Sequence, residues 1–165
     1  MGPIAAFLAK YHGRLDALLK KATAGDAGID LEAFGGFREG LLRHIGMEET
    51  ILLPALLRCR GAPVKLTDKL RLDHGALANL MMPEPSREIV SAIRHILEPH
   101  NRLEEDPGGF YEACDTLLAS QAETLTQKMR SAPEVPLRPY SKRPQALEAA
   151  KRAMARAGFN WKDCI

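Results

Sequence analysis

The chain is short of three things, and each shortage narrows what it can be. Aromatic residues make up only 5% of its 165 positions while Ala and Leu abound, a composition for helices rather than for a sheet sandwich. The three cysteines, Cys59, Cys114 and Cys164, are odd in number, widely spaced and form no C-x-x-C pair. They exclude a disulfide framework and a thiolate zinc site, and predict free thiols. No apolar run approaches membrane-spanning length. The N-terminus, Met1 to Phe7, merges with a helical pattern instead of showing a basic region, an apolar block and a cleavage site. It predicts an unprocessed, cytoplasmic protein. No base-reading motif points to nucleic acid.

What is present is helical periodicity. At 45% hydrophobic the chain can bury one good core. A first helix is predicted from Pro3 to Ala24, stopped by Gly25 to Gly28, with the stripe Leu8, His12, Leu15, Leu19, Ala22. A second opens at Asp30 as N-cap and runs to Arg60-Gly61, kinked at Pro54. The third runs from Thr67 to before Pro83, with the stripe Leu66, Leu70, His74, Leu77, Met81. Ser86 caps a fourth, with Ile89, Ile93, Ile96, His100, Leu103 and Glu104 inward; Asp106-Pro107-Gly108-Gly109 either breaks or bends it. The pattern resumes through Tyr111, Cys114 and Leu118 toward Met129. The expected fold is all-α, an up-down-up-down four-helix bundle over residues 1–130.

The second helix carries the main functional clue. Its stripe Phe34, Phe37, Leu41, His44, Glu48, Leu52, Ala55, Cys59 puts an imidazole and a carboxylate where a core face shows hydrocarbon. A carboxylate in a helical core is paired, neutralised or metal-bound, and no Lys or Arg lies on this stripe. The His-x-x-x-Glu spacing returns once, at His100 and Glu104. With His12 and His74 inward on the other two helices, four imidazoles and two carboxylates face one interior. They give two metals two nitrogens each, with Glu48 and Glu104 bridging. Imidazole and carboxylate without thiolate suit iron, with manganese or zinc as alternatives.

The heights along the helices agree for His12 and His44 but not for His74 and His100, where His95 matches better. His95, however, shares a polar face with Ser91, Glu98 and Arg102 and is expected to meet solvent. Glu49 and Glu105 likewise read as solvated neighbours of the inward pair. Taken singly, an inward histidine is a hydrogen-bonded core residue more often than a ligand. The alternative reading is therefore a helical interaction module with structural histidines.

The segments Leu8 to Leu15, His44 to Pro54, Asp73-His74-Gly75-Ala76-Leu77 and His100 to Glu105 together resemble the haemerythrin-like, or HHE cation-binding, family over residues 1 to about 125. The resemblance implies a four-helix bundle with a non-haem di-iron centre. His12, His44, His74 and His100 would be its terminal ligands, and Glu48 and Glu104 its bridges. The Glu-x-x-His motif of ferritin-like proteins is missing. Oxygen-carrying members have a further His four residues after the third-helix ligand, where this chain has Ala78. One imidazole fewer opens a position on iron, which favours reaction with dioxygen, peroxide or nitric oxide, in redox, stress response or sensing, over oxygen storage.

The charge divides the chain. Residues 1–127 hold 14 Lys/Arg against 18 Asp/Glu, a balance of −4, and residues 128–165 hold 9 against 3, a balance of +6. Residues 131–165 are predicted as a basic tail: an extended segment with Pro133, Pro136, Pro139 and Pro144, then a short helix from Gln145 to Ala157. That helix either docks on the bundle through Phe159 and Trp161, or offers a basic surface to an acidic partner, a membrane surface or nucleic acid.

Overall fold

The computed structural model describes residues 1–60 and 65–165, and among these the chain is all-helical with no strand. Helix α1 (Pro3–Ala22) starts with proline at its first turn and ends two residues short of the predicted last residue, Ala24. Its N-terminal amides are capped from a distance, because Asp115 accepts from Ile4 N and Ala5 N at 3.0 Å each. A carboxylate there also meets the positive end of the helix dipole. Helix α2 (Leu31–Met47) is capped as predicted by Asp30, which accepts from Glu32 N and Ala33 N.

At Pro54 the expected kink takes a specific form. The rod widens into a π-helical turn (Glu48–Leu52) before continuing as α3 (Leu53–Arg60). Pro54 has no N–H, and in a regular helix its ring collides with the carbonyl four residues back, that of Thr50. The wide turn takes in one extra residue at that point, and π-turns recur at functional sites. The predicted stop at Gly61 lies outside the described residues.

Helix α4 (Lys65–Leu80) leads to α5 (Arg87–Glu105), where the Ser86 hydroxyl caps Ile89 N at 3.2 Å and the helix passes through Pro99. The Asp106–Gly109 stretch breaks the helix. Gly108 takes φ +82°, a conformation glycine adopts without strain, and α6 (Phe110–Leu117) starts afresh, capped by Gly109 rather than Asp106. A 3₁₀ turn (Ala119–Gln121) joins α6 to α7 (Ala122–Arg130).

The tail after α7 has no regular secondary structure up to Arg143 and lies on the helices. Buried Arg38 donates to the Arg138 carbonyl at 2.8 Å and stacks over the Tyr140 ring, and Ser141 N donates to the Met82 carbonyl at 2.8 Å. Helix α8 (Pro144–Arg156) then packs along α4, burying Ala150, Ala153 and Met154. Phe159 and Trp161 are half-buried against the same core. The tail is thus part of the packed structure.

Two apolar clusters build the interior. One gathers Leu15, Leu19, Phe34, Phe37, Leu41, Leu77, Ile93 and Ile96 with the α8 residues. The other gathers Ile4, Leu8, Met47, Leu52, Leu70, Phe110, Tyr111 and Cys114. On each of α1, α2, α4 and α5 the changeover falls at the inward histidine: Leu8 and Leu15 flank His12, Leu41 and Met47 flank His44, Leu70 and Leu77 flank His74, and Ile96 and the partly buried Leu103 flank His100. One polar layer separates two hydrocarbon layers.

Candidate metal centre

All six predicted ligands meet in that layer. His12, His44, Glu48, His74, His100 and Glu104 are buried, with Glu48 wholly inaccessible. The donor atoms of Glu48, His74, His100 and Glu104 lie within 4.8 Å of one another, and so do those of His12, His44 and Glu104. Each carboxylate reaches one histidine of each pair. Glu48 places Oε1 3.4 Å from His44 Nε2 and Oε2 3.1 Å from His74 Nε2. Glu104 places Oε2 3.4 Å from His12 Nε2 and Oε1 3.1 Å from His100 Nε2. The helical spacing explains this: four residues from His to Glu return the chain to the same face, so α5, and α2 with the π-turn that continues it, each present an imidazole and a carboxylate side by side.

The outer nitrogens are held by carboxylates that the sequence reading set aside as solvated or passed over. His12 Nδ1 pairs with Glu105, His74 Nδ1 donates to Glu49 Oε1 at 2.7 Å, and His100 Nδ1 donates to Asp73 Oδ2 at 3.2 Å. An ionised carboxylate only accepts, so in each ring Nδ1 carries a proton, and in the neutral ring Nε2 is left as a lone pair facing inward. That is the orientation a metal-binding imidazole needs. The expectation that Glu49 and Glu105 are merely solvated is therefore corrected. The π-turn brings both Glu48 and Glu49 to His74, one to each nitrogen. Asp73 is itself buried and paired with Lys69. His-x-x-x-Glu-Glu occurs twice, yet on a regular helix the second glutamate of each run lies about 100° round from the first, so the repeat alone did not place Glu49 and Glu105 at the site.

His95 is exposed, its ring edge on Phe159, so the face argument holds over the height argument. His74 and His100 meet with ring centroids 5.1 Å apart. The three cysteines are free; Cys59 is exposed, the other two buried.

Without metal the layer is electrostatically tense. Burial pushes His44 down to about 3, so it is neutral. Burial acts the same way on His74 and His100, but Glu48 and Glu49 lift His74 to about 9, and Glu104 and Asp73 lift His100 to about 10. Against its own burial, Glu48 is held well below the usual carboxylate range by His44 and His74, whereas burial and the charge of Glu48 push Glu104 up. The two carboxylates, in one dry space, titrate apart.

Several buried polar atoms in the layer have no hydrogen-bond partner among the described residues: His44 Nδ1, Glu48 Oε2, His74 Nε2 and Glu104 Oε1. The pairs His74–Glu48 and His100–Glu104 are close enough to attract yet out of line for a hydrogen bond at Glu48 Oε2 and Glu104 Oε1. Such atoms are costly unless something else engages them, and the donors present, imidazole nitrogen and carboxylate oxygen, fit a divalent or trivalent ion. The buried His/Glu cluster can hold a metal ion.

A cavity of about 270 Å³ approaches the layer between Leu15, Leu19, Leu41, Leu77 and Leu97 and reaches His12, His44 and His100. Its outer end has Asp16, Arg94 and Glu98. Comparison with family models, curated proteins and solved structures finds no match for this chain. No described helix is long and apolar enough to cross a membrane.

Proposed function

We propose that the protein is a haemerythrin-like, carboxylate-bridged di-iron protein on an up-down-up-down four-helix bundle, which binds or reacts with dioxygen, peroxide or nitric oxide in the cytoplasm. Manganese or zinc suit the same donors. The observation that carries this reading is the double reach of Glu48 and Glu104, each with one oxygen toward each histidine pair. Bound iron would supply one-electron redox chemistry and positions open to a small ligand.

The chain's own residues would do the rest. His12 and His44 hold one half, His74 and His100 the other. Glu105, Glu49 and Asp73 fix three of the rings, and outer partners of this kind are commonly worth 10–100-fold in metal affinity. The hydrocarbon layers above and below exclude water, while the 270 Å³ cavity admits a molecule of a few atoms past leucine side chains. Ala78, where a further imidazole would stand, offers no donor, which leaves a coordination position open.

The alternative, an interaction module acting through its tail, has less support because α8 buries its apolar side against α4. Metal analysis of protein purified without chelator tests the choice. Close to two irons per chain is the expected result. Protein that stays metal-free after anaerobic reconstitution with Fe(II) overturns the di-iron reading and leaves the interaction module.

A further inference from the structure

Tyr111 was legible in the sequence only as an apolar stripe position, yet it is the aromatic side chain that enters the polar layer. Its hydroxyl lies 2.7 Å from Glu48 Oε1, 2.9 Å from Glu104 Oε2, 3.1 Å from His12 Nε2 and 3.4 Å from His44 Nε2. His12 Nε2 and His44 Nε2 are themselves 2.9 Å apart. A phenol has one proton to donate, and here several atoms that accept or ligate surround it. The proton can serve one of them. A cation serves them all.

The spacings also speak for a shared ion. Metal bonds of about 2.1 Å place neighbouring ligand atoms roughly 3.0–3.4 Å apart, from right-angle to tetrahedral geometry. The separations of the tyrosine oxygen from its neighbours, 2.7–3.4 Å, fall at or just below that range. The oxygen therefore sits as one more vertex of the ligand set, not at its centre, where it would have to lie about 2.1 Å from each donor.

The fold places Tyr111 there deliberately. The break at Asp106–Gly109 ends α5 just after Glu104 and Glu105, and α6 then turns Tyr111 back over the layer. One turn on, Asp115 ties α6 to the N-terminus of α1 through Ile4 N and Ala5 N. Both ends of this short helix are thereby fixed relative to His12.

We propose that Tyr111 is a ligand to the metal of the His12–His44 half, completing a set of two imidazoles, one oxygen each of Glu48 and Glu104, and a phenolate. This rests on the metal reading above and makes the two halves chemically unequal. Coordination replaces the phenol proton by the metal and releases that proton to solvent. An anionic oxygen ligand favours the ferric over the ferrous state, so the His12–His44 iron is the harder of the two to reduce.

The test uses the full chain loaded with Fe(II) and oxidised in air, as wild type and as Tyr111→Phe and Tyr11→Phe. Iron content, visible absorption and resonance Raman spectra are recorded. Wild type and Tyr11→Phe are expected to show a visible phenolate-to-Fe(III) band with tyrosinate ring modes. Tyr111→Phe is expected to lose both while keeping iron at the His74–His100 half. Iron-loaded wild type without tyrosinate modes overturns the Tyr111 assignment and leaves the metal reading standing. A band that survives in Tyr111→Phe also overturns it. Wild type that takes up no iron sinks both. Should Tyr111→Phe fail to fold, the wild-type Raman spectrum with ring-deuterated tyrosine still decides whether a tyrosine is bound, and Tyr11→Phe whether it is the one stacked on His44.

Discussion

Replacing Glu48 by leucine separates the residue's two roles, and the structure reverses the sign that the sequence suggests for one of them. From the sequence, a lone carboxylate on a core stripe is a burden, and a leucine of similar size should stabilise the metal-free protein. The structure gives that carboxylate company. His74, lifted to about 9 with Glu48 and Glu49 as its largest partners, is protonated at pH 7 and would be left with Glu49 alone. The lift from an ordinary 6.5 to about 9 corresponds to about 2–3 kcal/mol of stability at pH 7. Glu48 is, after burial, the first of the groups that set that value, and removing one member of a buried pair generally costs more than the pair contributes. Chelator-treated Glu48→Leu should therefore be about 1–3 kcal/mol less stable than wild type at pH 7.

The pH dependence fixes the cause. A histidine with a raised pKa contributes stability that is complete below its unfolded value and is lost as pH rises through about 9. A carboxylate held low contributes stability that is present above its unfolded value and is lost in acid. Across about pH 3 to 10 the deficit of Glu48→Leu should thus be widest between about pH 4.5 and 6.5, and shrink on both sides. Urea unfolding of both proteins across that range measures it. With metal at a hundred times its dissociation constant, wild type should gain about 2.7 kcal/mol and the variant much less. A metal-free variant more stable than wild type at pH 7, or a deficit that does not vary with pH, would refute the pairing of Glu48 with His74.

Other perturbations test the surroundings of the centre. Glu105→Ala, which frees the His12 ring, should weaken metal binding about 10–100-fold at that half, as read by titration against a chelator, with the fold unchanged by circular dichroism. His95→Ala should leave metal content unaltered, because the residue is exposed against Phe159; loss of an ion would place His95 in the centre after all. Metal affinity should fall as pH is lowered from about 9 to 6, since His74 and His100 hold protons that an ion must displace, and an affinity flat over that range would contradict their raised values.

The six candidate ligands were legible because each obeys a periodicity. An inward histidine repeats at helical spacing with its leucine neighbours, and Glu48 and Glu104 sit one turn beyond theirs, so helix geometry alone puts them on one face. The same logic made His95 a surface residue despite its better height. Loop geometry can absorb a height mismatch of a few ångströms, while rotating a helix face would expose its hydrocarbon. The free thiols and the Asp30 and Ser86 caps follow from equally local rules.

What the sequence hid depends on departures from regular helix. Glu49 lies one residue from Glu48, about 100° round a regular helix, and on that count it faces away from the site. The π-turn at Glu48–Leu52 changes the count, so Glu48 and Glu49 reach the two nitrogens of one ring. Pro54 announces trouble at this point, but whether the rod answers with a kink or a wide turn depends on what its side chains gain from the neighbouring helix. Tyr111 is hidden for a related reason. Its place depends on how sharply the chain turns at Gly108 and on the long-range cap from Asp115, neither of which leaves a periodic trace. A tyrosine in an apolar stripe reads as hydrocarbon with a hydroxyl to accommodate, and only the fold shows that the hydroxyl faces the buried His/Glu layer. The residues of the buried His/Glu cluster could thus be read from spacing, whereas Glu49 and Tyr111, which pack against its histidines and carboxylates, reach it where the helices break their own pattern.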